Sequence, residues 1–111
     1  MSSRLKKYAS YLKRLHRASL KEKKVLLKKA SKDTEFVKCL CECAKNIIKG
    51  NVKLTSPQRE KIRHRKQSFR KLCLKKTPLK EKRRIVQTGG FLGALLGPII
   101  SILGGIFGNS Q

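Results

Sequence analysis

The sequence predicts an all-α protein: a small basic helical hairpin or bundle followed by a Gly-rich apolar C-terminal helix. Three observations carry this. Apolar residues recur at three- and four-residue steps, no segment alternates as a strand does, and Ser, Thr, Pro and Gly punctuate the periodic runs.

Leu5, Tyr8, Leu12 and Leu15 recur with Lys and Arg between them, the pattern of an amphipathic helix with a narrow apolar stripe. Ser19 followed by Glu22 is a capping-box signal for a second helix, whose weaker apolar side is Val25, Leu26, Leu27 and Ala30. The third segment has the strongest pattern. Phe36, Val37, Leu40, Cys41, Ala44, Ile47 and Ile48 share one face, and Gly50 follows as the stop. Ser56-Pro57 reads as the N-cap and first residue of a fourth helix, which carries Ile62, Phe69, Leu72 and Cys73. Thr77-Pro78 repeats the signal for a short fifth helix through about Val86. The connection between the third and fourth helices is short, which predicts an antiparallel hairpin. The chain thus divides into basic amphipathic helices over 1–33, a basic helical hairpin body over 34–88 and a Gly-rich hydrophobic tail over 89–111.

Charge narrows the function. The 111 residues carry 29 Lys+Arg against 6 Asp+Glu, a net +23, and a chain this short has marginal capacity for burial. All ionisable side chains fall between Arg4 and Arg84, and the residues from Phe91 onward have none. Few acids, no Trp, His16 far from His64 and no Gly-rich phosphate loop argue against an autonomous enzyme. So much like charge repels itself unless an anion neutralises it. At one phosphate per about 1.7 Å of duplex, such a charge matches roughly a dozen base pairs. The nucleic-acid contacts are expected from Arg59, Lys61, Arg63, Arg65, Lys66, Arg70, Lys71, Lys75, Lys76, Lys80, Lys82, Arg83 and Arg84. Cations are spread over every helix of the basic body and its aromatics are few, so the expected mode is sequence-independent neutralisation of phosphate. The competing readings are a solvated basic surface and binding to anionic lipid.

The start of the chain has no apolar run of signal-peptide length, and Arg63-His64-Arg65-Lys66 and Lys80-Glu81-Lys82-Arg83-Arg84 resemble nuclear-import clusters. Reduced thiols are therefore expected. Cys39, Cys41 and Cys43 on one helix cannot converge on a tetrahedral zinc, so no metal or other cofactor is expected. Cys41, Cys43 and Cys73 are expected to pack as small hydrophobes in the hairpin core.

The tail from Phe91 to Phe107 would span about 26 Å as a helix, the lower limit for crossing a bilayer. Pro98 and Gly104-Gly105 interrupt it, and Gly93, Gly97, Ser101 and Gly105 form a small-residue stripe of the kind seen at close helix contacts in lipid. Phe91, Leu92, Leu95, Leu96, Ile99, Ile100, Leu103, Ile106 and Phe107 are the expected membrane-contact residues. The alternative is a buried C-terminal helix of a soluble bundle. Membrane contact is the preferred expectation, because the basic body offers little apolar surface to cover such a helix. Gln87-Thr88-Gly89-Gly90, at the boundary, is either a helix stop or an exposed stretch suited to a protease cleft.

The run Phe36-Val37-Lys38-Cys39-Leu40-Cys41-Glu42-Cys43 leads through Ile47-Ile48-Lys49-Gly50-Asn51-Val52 to a Lys/Arg helix, Gln87-Thr88-Gly89-Gly90-Phe91-Leu92 and the apolar tail. This stretch, Phe36 to Phe107, resembles small basic proteins of Maverick/Polinton elements and adintoviruses, themselves likened to the adenovirus core protein ten (pre-mu). The resemblance implies a virion core protein on packaged double-stranded DNA, located in the virion and the host nucleus and neighbouring capsid proteins. It also implies processing by an adenovirus-type cysteine protease at Gln87-Thr88-Gly89-Gly90, with cleavage before Phe91. Here Lys dominates where the mature adenovirus peptide has dense Arg tracts. Two other readings stand beside it: a tail-anchored or interfacial membrane protein, and a precursor of a cationic membrane-lytic peptide.

Overall fold

A computed structural model of the chain describes residues 3–88 and 91–107, apart from the side chains of 104–107. The described residues form helices and connections with no strand. The helices are α1 (Ser3–Arg17), α2 (Leu20–Ala30), α3 (Thr34–Ile48), α4 (Ser56–His64), α5 (Lys66–Cys73), α6 (Leu79–Gln87) and α7 (Phe91–Phe107). The all-α expectation holds.

The helix ends follow side-chain chemistry. Ser19 Oγ accepts from Glu22 N at 3.2 Å, and Asp33 Oδ1 accepts from Glu35 N at 3.0 Å, which caps α2 and α3. The start of α4 lies one residue earlier than Ser56-Pro57 suggests. Thr55 is the N-cap, and a complete capping box links it to Gln58 through bonds of 3.3 and 3.1 Å. Gly50 ends α3 as expected, with φ +80, the left-handed conformation that favours glycine. Gly50 N donates to Ile47 O at 3.2 Å and Asn51 N to Asn46 O at 3.0 Å, the bond pair of a Schellman stop. The apolar contact that often completes that motif is replaced by Asn51 Nδ2 donating to Asn46 Oδ1 at 3.2 Å.

The expected fourth helix is two helices. The chain breaks at Arg65 (φ −113, ψ 20), so α4 leaves α3 and packs on α5 and α7, while α5 lies against α3. Ile62 and Phe69 are in phase for one straight helix, but Arg63-His64-Arg65-Lys66 supplies no apolar anchor between them and stacks like charges. Of the two pieces, α5 is the one that packs against α3.

The tail lies at the centre of the fold. Phe91, Leu95, Ile99 and Leu103 of α7 are fully buried, with Leu92, Ala94 and Leu96 nearly so and Pro98 buried among them. α7 packs against α1, α3, α4 and α6. The expectation that the basic body cannot cover an apolar helix is thus corrected. Each amphipathic stripe is narrow, but several narrow stripes converge on one helix that is apolar all round. Leu5, Leu12, Leu15, Leu27, Phe36, Leu40, Phe69, Leu72, Ile85 and Val86 share a single core with α7, so residues from all three expected segments form one hydrophobic cluster. The small-residue stripe turns outward. Gly93 and Ser101 are exposed, and an ideal Cβ on Gly97 would lie 3.2 Å from Gln58 Nε2.

Two apolar assignments also change. Ile48 and Val25 are exposed, at 48% and 67%, whereas Cys39 is buried. Of the cysteines, Cys39 and Cys43 enter the core, while Cys41 and Cys73 are half-buried.

Candidate nucleic-acid interface

The acids are consumed inside the fold. Arg4 of α1 donates from Nε to Glu35 Oε2 at 2.7 Å and from Nη1 to Glu42, which ties α1 to α3. Tyr8 OH donates to Asp33 Oδ2 at 2.6 Å. Glu60 pairs with Arg63, and Glu81 lies 3.3 Å from Arg84 and 3.6 Å from Lys71. Glu22 sits in the first turn of α2 beside its Ser19 cap. Each of the 6 Asp+Glu thus has a local cation, cap or phenol, and the surplus positive charge is left on the outside.

These contacts shift the titration of their members. The Tyr8 hydrogen bond holds the Asp33 carboxyl below its ordinary value, and the Arg4 hydrogen bond does the same for Glu35. Burial and the bond to Asp33 push the Tyr8 phenol up to about 12.

The expected nucleic-acid contacts lie on α4, α5, α6 and the α5–α6 connection. Arg59, Lys61, Arg63, Lys66, Arg70, Lys71, Lys75, Lys76, Lys80 and Arg84 are exposed, and Arg65 and Lys82 are half-buried. Arg83 behaves differently. Its Nη2 donates to Thr34 Oγ1 at 3.1 Å, reaching from α6 to the start of α3, and its buried Nε has no partner among the described residues. It serves as an internal tie more than a surface cation. Elements outside the expected set also carry exposed cations, among them Lys6 of α1, Lys28 of α2 and Lys38 and Lys45 of α3. Sequence reasoning missed the α3 lysines because they lie outside the Lys/Arg-dense runs. Only the packing of α3 on α6 brings Lys45 and Lys82 to one cleft.

That cleft has a volume of about 390 Å³ and is lined by Lys38, Lys45, Lys75, Lys82, Cys41 and Cys73, among others. Burial pushes both thiols up, while the ammonium groups of Lys82 and Lys45 act in the opposite direction on each. The Cys43 thiol is held protonated by its hydrogen bond to Cys39 and by burial. Among the described residues no group of three or more His, Cys, Asp or Glu is placed to hold a metal ion.

At the boundary, Gln87 and Thr88 are exposed and line an open groove with Leu20, Leu27 and Leu92, rimmed by Lys23, Lys24 and Lys28. Gly89 and Gly90 lie outside the described residues. Phe91, the residue after the expected cleavage point, is fully buried, and its N–H donates to Thr88 O at 3.2 Å. Of the expected membrane-contact residues, Phe91, Leu92, Leu95, Leu96, Ile99 and Leu103 face the core and Ile100 is half-buried. The side chains of Ile106 and Phe107 lie outside the described residues. No single helix among the described residues is long and apolar enough to cross a membrane.

The chain matches no protein-family model, no curated protein and no solved structure.

Proposed function

We propose that this protein is a non-enzymatic, virion core-like protein that coats double-stranded DNA by neutralising its phosphates without reading its sequence. The single observation that carries this reading is the disposition of charge: every acid is engaged locally, and the cationic surplus is distributed over all the helices up to α6. A surface of that kind offers phosphate contacts in many orientations but no dedicated helix face for base edges. Packaged DNA in a virion core, capsid proteins as neighbours and the host nucleus as the site of assembly are the setting that the sequence resemblance supports.

The test is a binding titration of the full chain on duplexes of equal length and unrelated sequence. Affinities should agree closely, and log K should fall linearly with log salt, with a slope of about −0.9 per phosphate neutralised. A strong preference for one sequence at physiological salt, or an affinity indifferent to salt, overturns the proposal.

The second proposed activity, membrane action by residues 91–107 after cleavage following Gly90, is supported by their complete lack of charge. In the folded chain α7 is the central core helix, so membrane insertion and protease cleavage both require it to leave the bundle.

A further inference from the structure

We infer that the cleft between α3 and α6 is a discrete phosphate-binding site, which grips a backbone phosphate of the bound duplex. The inference rests on the DNA-binding reading but adds a place to it.

Lys38 and Lys45 reach the cleft from α3, Lys75 from the α5–α6 connection and Lys82 from α6. Glu42 is the one acid in its wall, and it is already committed to Arg4. Lys45, Lys75 and Lys82 have no carboxylate partner among the described residues. Ammonium groups around one cleft repel one another where no counter-charge stands between them, and an anion of compact, multiply charged form relieves that repulsion. The start of α6 adds to this. Thr77 and Leu79 line the cleft, and the Pro78 cap supplies no side-chain hydrogen bond to the first turn of α6, whose N-terminal end favours negative charge. The volume of about 390 Å³ accommodates a phosphate with its adjoining sugar carbons against Val37, Leu79 and the two thiols.

Cys41 and Cys73 sit in this cleft, half-buried and unpaired by any disulfide, whereas Cys39 and Cys43 are sealed in the core. The four thiols therefore form a built-in reporter with its own internal control.

The experiment is alkylation of the full chain by iodoacetamide, read at each cysteine by mass spectrometry. It is run alone, with saturating duplex DNA, with inorganic pyrophosphate and with poly-glutamate, and DNA occupancy is checked separately by fluorescence anisotropy. DNA should slow modification of Cys41 and Cys73 several-fold, pyrophosphate should slow it partly, and poly-glutamate should have little effect. The double variant Lys45→Ala/Lys82→Ala, with helicity unchanged by circular dichroism, should lose that protection even when duplex is added until anisotropy reports full occupancy, and protection equal to that of the unaltered chain at full occupancy overturns the cleft. DNA that binds without changing the two rates overturns the cleft and leaves the general DNA-binding reading intact. Equal protection by poly-glutamate overturns the preference for phosphate. If DNA does not bind at all, the general reading fails. Protection by pyrophosphate would then uphold the cleft as a site for free phosphates, and its absence would overturn it.

Discussion

The rings of Phe69 in α5 and Phe91 in α7 meet at a centroid distance of 4.9 Å with their planes inclined by 50°, and both side chains are fully buried. This contact joins the Lys/Arg-rich body to the uncharged tail. The first residue of α7 is thereby a core residue of the basic bundle, and the two halves of the sequence depend on one another for stability.

Phe91→Ala should lower stability by about 3–5 kcal/mol, the usual cost of emptying a buried aromatic site. Phe69→Ala should do the same, and the double variant should reveal a coupling of about 0.5–1.5 kcal/mol. Urea unfolding followed by circular dichroism measures all three. An unchanged midpoint for Phe91→Ala would mean that α7 is not part of the core.

Leu40 is fully buried on α3 in the same core as Ile47, Phe69 and Leu72. Leu40→Asp places an unpaired carboxylate there at a cost of several kcal/mol, enough to abolish cooperative unfolding in a small domain. Leu40→Met, close to it in volume, should cost less than about 1.5 kcal/mol. Equal midpoints for Leu40→Asp and the unaltered chain, with helicity retained, would remove Leu40 from the core.

The proposed cleavage junction ends at a buried residue, so folding should protect it. An adenovirus-type protease should release 91–111 slowly from the native chain, faster from Phe69→Ala, and not at all from Gly89→Val. Mass spectrometry of the products gives the three rates. The isolated 91–111 peptide should leak dye from vesicles more readily than the full chain, because the full chain holds α7 inside. A junction left intact even in the destabilised variant, or vesicles left sealed by the peptide, counts against processing.

The α1–α3 contact should fail at both ends of the pH scale. Asp33 and Glu35 have depressed folded values, so their stabilisation is present above their unfolded values of 3.8 and 4.5 and is lost as acid protonates them in the fold. Tyr8 is raised, so its contribution is complete below its ordinary value of 10.0 and disappears as pH climbs through about 12. Thermal midpoints should therefore be flat across neutral pH and fall on both sides. Tyr8→Phe should shrink the alkaline loss, which tyrosinate absorbance and helicity recorded together will test.

Much of the secondary structure was legible without coordinates, because helix ends answer to local chemistry. Ser19, Gly50 and the Thr55–Gln58 region mark their helix ends through hydrogen bonds within a few residues. The all-α class and the cationic surplus are likewise properties of the sequence by itself. The break at Arg65 was not legible, since Ile62 and Phe69 keep perfect helical phase across it. The fate of the tail was decided only by tertiary structure. Periodicity shows that a helix is apolar on all sides but is silent on what covers it, and lipid and a ring of narrow amphipathic stripes satisfy the same pattern. Thin faces, each too small alone, close around α7, and Leu12, Leu40, Phe69 and Val86 bring theirs from four different helices, α1, α3, α5 and α6. The lysine cleft has the same origin. Lys45 and Lys82 lie far apart in the chain, and only the packing of α6 on α3 puts their charges on one pair of thiols.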